Sequence, residues 1–213
     1  MTETRSTPNI LRMLKACLSL LLILSYTPLF AEPVKRLVIV GDSLTEGYGV
    51  AREEAYPALL EAKIKSSGKN WVVINAGISG STSASAPSRV TWQMKQKPDL
   101  LLLALGANDG LRGLSSKETE KNLASAIEIC QKNSVKVVLV GMKMPPNFGA
   151  DYTKRYEKVF PDLAKHYHTP LVPFLLESVA GEKSLNQSDG LHPNAKGHAI
   201  LADTVFKGIQ KYL

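Results

Sequence analysis

Four apolar, largely β-branched runs recur along the chain at residues 37–40, 71–74, 100–105 and 135–140, with a weaker fifth at 171–174. Each is nearly continuous in its apolar character, the mark of strands buried on both faces of a parallel sheet. Amphipathic stretches lie between them. Residues 57–65 open with a proline, which suits a first helical turn, and residues 117–132 carry Leu123, Ile127 and Cys130 at helical spacing. Residues 152–167 and 194–212 predict two further helices, and 86–96 a weaker one. Strands alternating with helices at this spacing predict a doubly wound α/β sandwich. In such sheets ligands bind beyond the carboxyl ends of the strands.

The first thirty-odd residues follow another pattern. Arg5, Arg12 and Lys15 precede an uncharged apolar run over 16–26, followed by Thr27-Pro28-Leu29-Phe30-Ala31 and Glu32. A cationic start, a short apolar run and a small residue read as an export signal over 1–31. The expected domain is then 32–213, in a periplasmic or secreted protein. The run falls short of the roughly 20 apolar residues that span a bilayer. Cys17 sits at the start of that run, too close to Lys15 for a lipidation site.

The 213 residues suit one domain, and 44% hydrophobic with 21% charged residues is ordinary globular composition. Loss of 1–31 removes three basic groups and one acidic group, lowering the formal charge from +7 to +5. That charge is spread along the chain, so transient contact with a lipid surface is compatible with it and no nucleic-acid partner is expected. No Gly-x-x-x-x-Gly-Lys-Ser/Thr loop is present, which excludes a P-loop nucleotide site. After cleavage only Cys130 remains, so no internal disulfide can form, and its helical spacing assigns it to the core.

The candidate chemistry lies where strands end. The first run leads directly into Gly41-Asp42-Ser43, and near the C-terminus Asp189-Gly190-Leu191-His192-Pro193 sets a carboxylate three residues before an imidazole. Acyl transfer by serine needs a hydroxyl, a base to take its proton and an acid to fix the base's tautomer. Ser43, His192 and Asp189 supply one of each. Asp42 and Asp109 are rival acids; Asp189 is preferred because its nearness to His192 constrains it, while Asp42 is expected to brace the loop. His166, His168 and His198 have no neighbouring ligand set and are assigned to surface or packing, so no zinc or other metal site is expected. Activity is expected to fall in acid as His192 gains a proton.

Four blocks resemble the SGNH hydrolases, also called the GDSL lipases and esterases: Gly41-Asp42-Ser43-Leu44, Asn75-Ala76-Gly77-Ile78-Ser79-Gly80, Gly106-Ala107-Asn108-Asp109 and Asp189-Gly190-Leu191-His192. They occur in the family's order from Arg36 to the C-terminus. Asn108-Asp109-Gly110-Leu111-Arg112-Gly113 and the Pro193-Asn194 continuation are similar to the periplasmic acyl thioesterase, lysophospholipase and arylesterase subgroup. Gly77 and Ala107 stand where the best-known members carry serine and glycine.

The resemblance implies a flavodoxin-like three-layer sandwich around a five-stranded parallel sheet. It also implies an oxyanion hole from the Ser43 N–H, the Gly80 N–H and the Asn108 side-chain amide. Ile78 and Ser79 on one loop, and Met144, Pro145 and Phe148 on another, are expected to grip the acyl chain. The implied substrate is a medium-to-long acyl ester or thioester, cleaved by a monomer without a cofactor. A carbohydrate O-acetyl esterase and a non-catalytic envelope binding module are the alternatives.

Overall fold

The computed structural model describes residues 33–213. The expected export signal and its cleavage point lie outside the described residues. Five strands form one parallel sheet: β1 (Lys35–Gly41), β2 (Trp71–Gly77), β3 (Leu100–Ala104), β4 (Lys136–Val140) and β5 (Leu171–Val172), in the spatial order β2-β1-β3-β4-β5. Seven α-helices are described: α1 (Ser43–Glu46), α2 (Tyr56–Ser66), α3 (Ala86–Gln93), α4 (Ala107–Leu111), α5 (Ser116–Lys132), α6 (Ala150–His166) and α7 (Ala195–Ile209).

The chain winds one way from β1 to β2 and the other way from β3 onward. Because parallel crossovers are right-handed, the helices of the two halves cover opposite faces. Accordingly the crossover helices α3, α5 and α6 pack together on one face, whereas α2 lies on the other, where α7, the helix after the last strand, joins it. The three layers enclose a core centred on β3, where Leu100 to Leu105 are each at most 1% exposed.

The reversal between β1 and β3 is the topological switch point, and the strand registers align its rim. Gly41 pairs with Gly77 on one side and with Ala104 on the other. The segments that leave these strands therefore emerge from one edge: Ser43 after β1, residues 78–80 after β2 and Asn108 after β3.

Several predicted boundaries shift for local reasons. The fifth run stops at Val172 because Pro173 has no N–H for the ladder. The last helix starts at Ala195, with Asn194 as its cap, where Oδ1 accepts from the N–H groups of Lys196 and Gly197 at 3.0 and 3.1 Å. Its final residues, Gln210–Tyr212, tighten into a 3-10 turn, as do Met94–Gln96 after α3. Cys130 is fully buried, as its spacing predicted, and burial pushes its thiol up to about 12.

His198 belongs to the packing between α7 and α2. It is 1% exposed, and its Nδ1 accepts the Tyr56 N–H at 3.3 Å. Burial chiefly, with the His192 charge adding and Glu54 opposing, lowers its pKa to about 4. A histidine depressed in the folded state supplies stability above its unfolded pKa and withdraws it as pH falls through the folded value. Asp42 runs oppositely: its carboxyl, raised to about 6 chiefly by burial, supplies stability that is lost as pH rises through that value. Comparing wild type with His198→Gln cancels the Asp42 contribution. Thermal midpoints from pH 7 to pH 4 should converge, because the variant lacks the acid-side loss. Parallel curves would contradict this assignment.

Candidate active site

Asp42 follows β1 directly and caps α1, its Oδ1 accepting the Leu44 N–H at 3.1 Å. Ser43 is therefore the first residue of the helix, held by a cap rather than acting as one. Tight packing supports this turn. A side chain at Gly41 would collide with Thr45, whose Oγ1 shares a hydrogen bond with the buried Tyr56 hydroxyl at 2.8 Å. Asp42 is 1% exposed, and its Oδ2 has no hydrogen-bond partner among the described residues. It braces the turn and makes no hydrogen bond to the His192 ring, whose Nδ1 is bonded to Asp189, so its role as a rival acid is set aside.

His192 approaches from the far end of the chain. Its Nε2 lies 3.0 Å from Ser43 Oγ, and its Nδ1 lies 2.7 Å from Asp189 Oδ2. Asp189 Oδ1 also accepts the N–H groups of Leu191 and His192 at 2.9 and 3.0 Å, closing the turn through Gly190, whose φ is +68°. A left-handed residue there costs glycine nothing. The backbone N–H of His192, then its side chain, then the Leu191 N–H hold the Asp189 carboxyl down at about 2. It thus stays ionised throughout the range in which imidazoles titrate.

Two residues that sequence reasoning passed over secure this loop. Gln187 donates from Nε2 to the carbonyls of Tyr48 and Pro193 at 2.7 and 3.0 Å, and its N–H donates to the His192 carbonyl at 2.8 Å. It joins the histidine loop to the segment after α1. The Tyr48 ring lies against His192, centroid to centroid 4.7 Å at 44°. Neither contact has a local sequence signal, since both span more than 130 residues; only Tyr48's place five residues after the serine could have drawn attention.

Asn108 stands in the first turn of α4, and its Nδ2 donates one hydrogen to the Ser81 carbonyl at 3.0 Å. Gly80, at φ +74°, follows β2 on the same rim, and its carbonyl accepts from Arg112 at 3.0 Å. Among the described residues, neither the Ser43 N–H nor the Gly80 N–H has an acceptor within the protein. The next residue, Asp109, is buried and accepts from the Ser83 N–H at 2.8 Å, from the Ser83 hydroxyl and from Thr119 Oγ1 at 3.3 Å. It ties α4 to the loop and α5, which leaves it no free role as the histidine's partner.

The expected acyl-binding residues divide. Ile78 and Ser79 lie on the rim beside Gly80, and Ile78 is exposed. Met144 is buried, with its sulfur packed so closely on Gly110 that a side chain there would collide with it. Pro145 is exposed, and Phe148 packs on Tyr152. Met144 thus borders α4 directly and Phe148 reaches it through Tyr152, whose hydroxyl donates to the Gly110 carbonyl at 3.2 Å. Further large apolar side chains are exposed on the segments that carry the row and the rim: Tyr48, Leu111, Leu114 and Leu191. Among the described residues no cluster could hold a metal ion, and no helix is long and apolar enough to cross a membrane.

Fold and site together define an ester hydrolase of three-layer α/β architecture. The GDSL-like lipase/acylhydrolase family matches residues 39–200, and the chain belongs to that family. It is 34% identical over 202 residues to esterase TesA of Pseudomonas aeruginosa, covering 94% of this chain and 98% of that protein. It is 36% identical over 181 residues to thioesterase 1/protease 1/lysophospholipase L1 of Escherichia coli K12, covering 84% and 86%. The solved psychrotrophic esterase EstA from Pseudoalteromonas, inhibited by monoethylphosphonate, superposes with a TM-score of 0.79 at 34% identity, over 84% of this chain and 98% of that one.

Proposed function

We propose that the protein is a serine hydrolase that cleaves esters and thioesters of medium-to-long acyl chains through an acyl-enzyme on Ser43. The observation that carries this reading is the unbroken row from Ser43 Oγ through His192 to Asp189, at 3.0 and 2.7 Å. Ser43 Oγ attacks the acyl carbonyl carbon while its proton passes to His192 Nε2. The carbon–oxygen or carbon–sulfur bond to the leaving group then breaks, and the departing alcohol or thiol takes that proton. Water, deprotonated by His192, attacks the acyl-enzyme; the carboxylic acid departs and Ser43 recovers its proton. General base action of this kind is worth about 10²–10⁴ in rate.

The negative charge that develops on the carbonyl oxygen is met by the Ser43 and Gly80 N–H groups and Asn108 Nδ2. Asp189 keeps a proton on His192 Nδ1, leaving Nε2 free to accept. The scheme draws on no cofactor.

The exposed apolar side chains Tyr48, Ile78, Leu111, Leu114 and Leu191 support an acyl chain as the recognised group. The relatives' names, which include thioesterase and lysophospholipase, point the same way. Pro145 and Phe148 are read as extending this apolar border, and Met144, buried against Gly110, as backing it. Residues 1–31 are read as an export signal, so that the mature monomer, 32–213, acts in the periplasm or outside the cell and meets lipid surfaces transiently.

A chain-length and leaving-group series on the mature protein tests the substrate reading. A fully buried methylene is worth about 0.8 kcal/mol, so even one-third burial of those added from acetyl to octanoyl should raise kcat/KM by about tenfold or more. A flat profile from acetyl to palmitoyl would overturn the acyl-chain assignment. Faster turnover of acetylated xylan would favour glycan deacetylation instead.

A further inference from the structure

We propose that Glu46 is a positioning residue for the oxyanion site, clamping the segment that presents the Gly80 N–H. The inference rests on the reading of Gly80 as a donor and names what aims it.

Glu46 closes α1, the short helix that Ser43 opens. A carboxylate at the end of a helix opposes the helix dipole, and the last turn holds no basic residue to offset it. The side chain is instead turned toward the loop after β2. Its Oε2 accepts the Ser79 N–H at 2.8 Å and also accepts from the Ser79 hydroxyl. Backbone packing reinforces the approach: a side chain at Gly77 would lie 2.2 Å from the Glu46 nitrogen, so only glycine lets the two segments touch. Asn75 bridges the same junction, accepting the Gly77 N–H at 2.9 Å and donating to the Glu46 carbonyl at 3.4 Å.

The far side of Gly80 is held as well. Arg112 donates to the Gly80 carbonyl and Asn108 to the Ser81 carbonyl, each at 3.0 Å. The Ser79–Gly80 peptide, whose N–H is the donor in question, thus lies between one peptide fixed by Glu46 and another fixed by Arg112. Glycine at φ +74° has cheap alternatives open to it. Without the carboxylate, the turn is left to the bond from the Ser81 N–H to the Ile78 carbonyl at 3.2 Å, and the peptide within it rotates more readily, so its N–H leaves the oxyanion position for part of the time. Glu46 also couples the geometry of the donor to the helix that carries the nucleophile, since one short element anchors both.

The test compares Glu46→Ala and Glu46→Gln with wild type, with kcat expressed per active site titrated by a fluorophosphonate. Complete loss of one oxyanion donor costs about 10²–10³ in kcat, so partial misplacement in Glu46→Ala should lower kcat about tenfold. KM should stay within about twofold, because the interaction is made in the transition state. Glu46→Gln retains an acceptor oxygen for the Ser79 N–H and should recover kcat to within about threefold of wild type.

An unchanged kcat in Glu46→Ala overturns the clamp, as does a loss that Glu46→Gln fails to rescue. Ser43→Ala, run in parallel, separates the two levels. Turnover surviving in that variant would remove the serine hydrolase reading itself. An inactive Ser43→Ala beside a fully active Glu46→Ala removes the clamp alone.

Discussion

Replacing Ser43 by alanine is expected to lower kcat by about 10⁶ while leaving the fold intact, as losses of a serine nucleophile do elsewhere. Among the described residues, the hydroxyl is the only group hydrogen-bonded to His192 Nε2 that can form the acyl-enzyme. Its removal leaves no covalent route, and the remaining donors can only polarise a bound ester toward water. Structural damage should be small, because α1 is held by Asp42 at its cap and by packing of Thr45 on Tyr56, none of which involves Oγ. Thermal unfolding of the variant should therefore match wild type within a few degrees. Steady-state hydrolysis of a thioester and an aryl ester, with unfolding monitored alongside, checks both halves. Residual activity above about one per cent of wild type would exceed what binding and polarisation alone provide elsewhere.

The second large effect is expected from Asp189→Asn, which should cost about 10³–10⁴ in kcat, in line with the analogous change in a serine protease triad. The argument turns on the tautomer. Asp189 Oδ1 is occupied by two backbone N–H groups, at 2.9 and 3.0 Å, so an asparagine places its oxygen there and its amide toward His192 Nδ1. An amide donor requires Nδ1 to be the unprotonated nitrogen. Nε2 then carries the hydrogen, and the imidazole faces Ser43 as a donor unable to take its proton. The turn should survive, because the backbone bonds that form it are kept. The wild-type carboxylate, held down at about 2, gives no comparable state at neutral pH. A kcat loss below about tenfold would mean that the imidazole is oriented by other contacts, of which the Tyr48 ring and Gln187 are the candidates.

Much of this arrangement was legible in the chain because it depends on burial and spacing. The continuous apolar runs became the five strands, since strands covered on both faces tolerate few polar positions. Asp189 and His192 were readable as a pair because a three-residue turn brings them together without help from the rest of the fold. The two short helices α1 and α4 were not foreseen. With four and five residues they are too short to display a helical period. They nonetheless carry Ser43 and Asn108, and their boundaries depend on Asp42 capping one and Gly106, at φ +122°, admitting the other.

Met144 illustrates a different gap. Its apolar character fitted both a binding wall and the core, and only the contact with Gly110 reveals how far it is buried. Glu46, Tyr48 and Gln187 escaped notice because their partners are brought close by the winding of the sheet, which no local pattern encodes. Sequence nearness to His192 already favoured Asp189 over the rival acids, and the structure adds what occupies the other two. Asp109 spends both oxygens on the Ser83 N–H and hydroxyl, while Asp42 spends Oδ1 on the Leu44 N–H and keeps Oδ2 buried without a partner among the described residues.

The central claim is that acyl transfer passes through Ser43, and intact-protein mass spectrometry after treatment with a fluorophosphonate tests it most directly. The account predicts a single adduct per chain, mapped by peptide fragmentation to Ser43, formed in step with loss of esterase activity and absent from Ser43→Ala. An adduct on another residue, or full esterase activity in protein modified at Ser43, would contradict it.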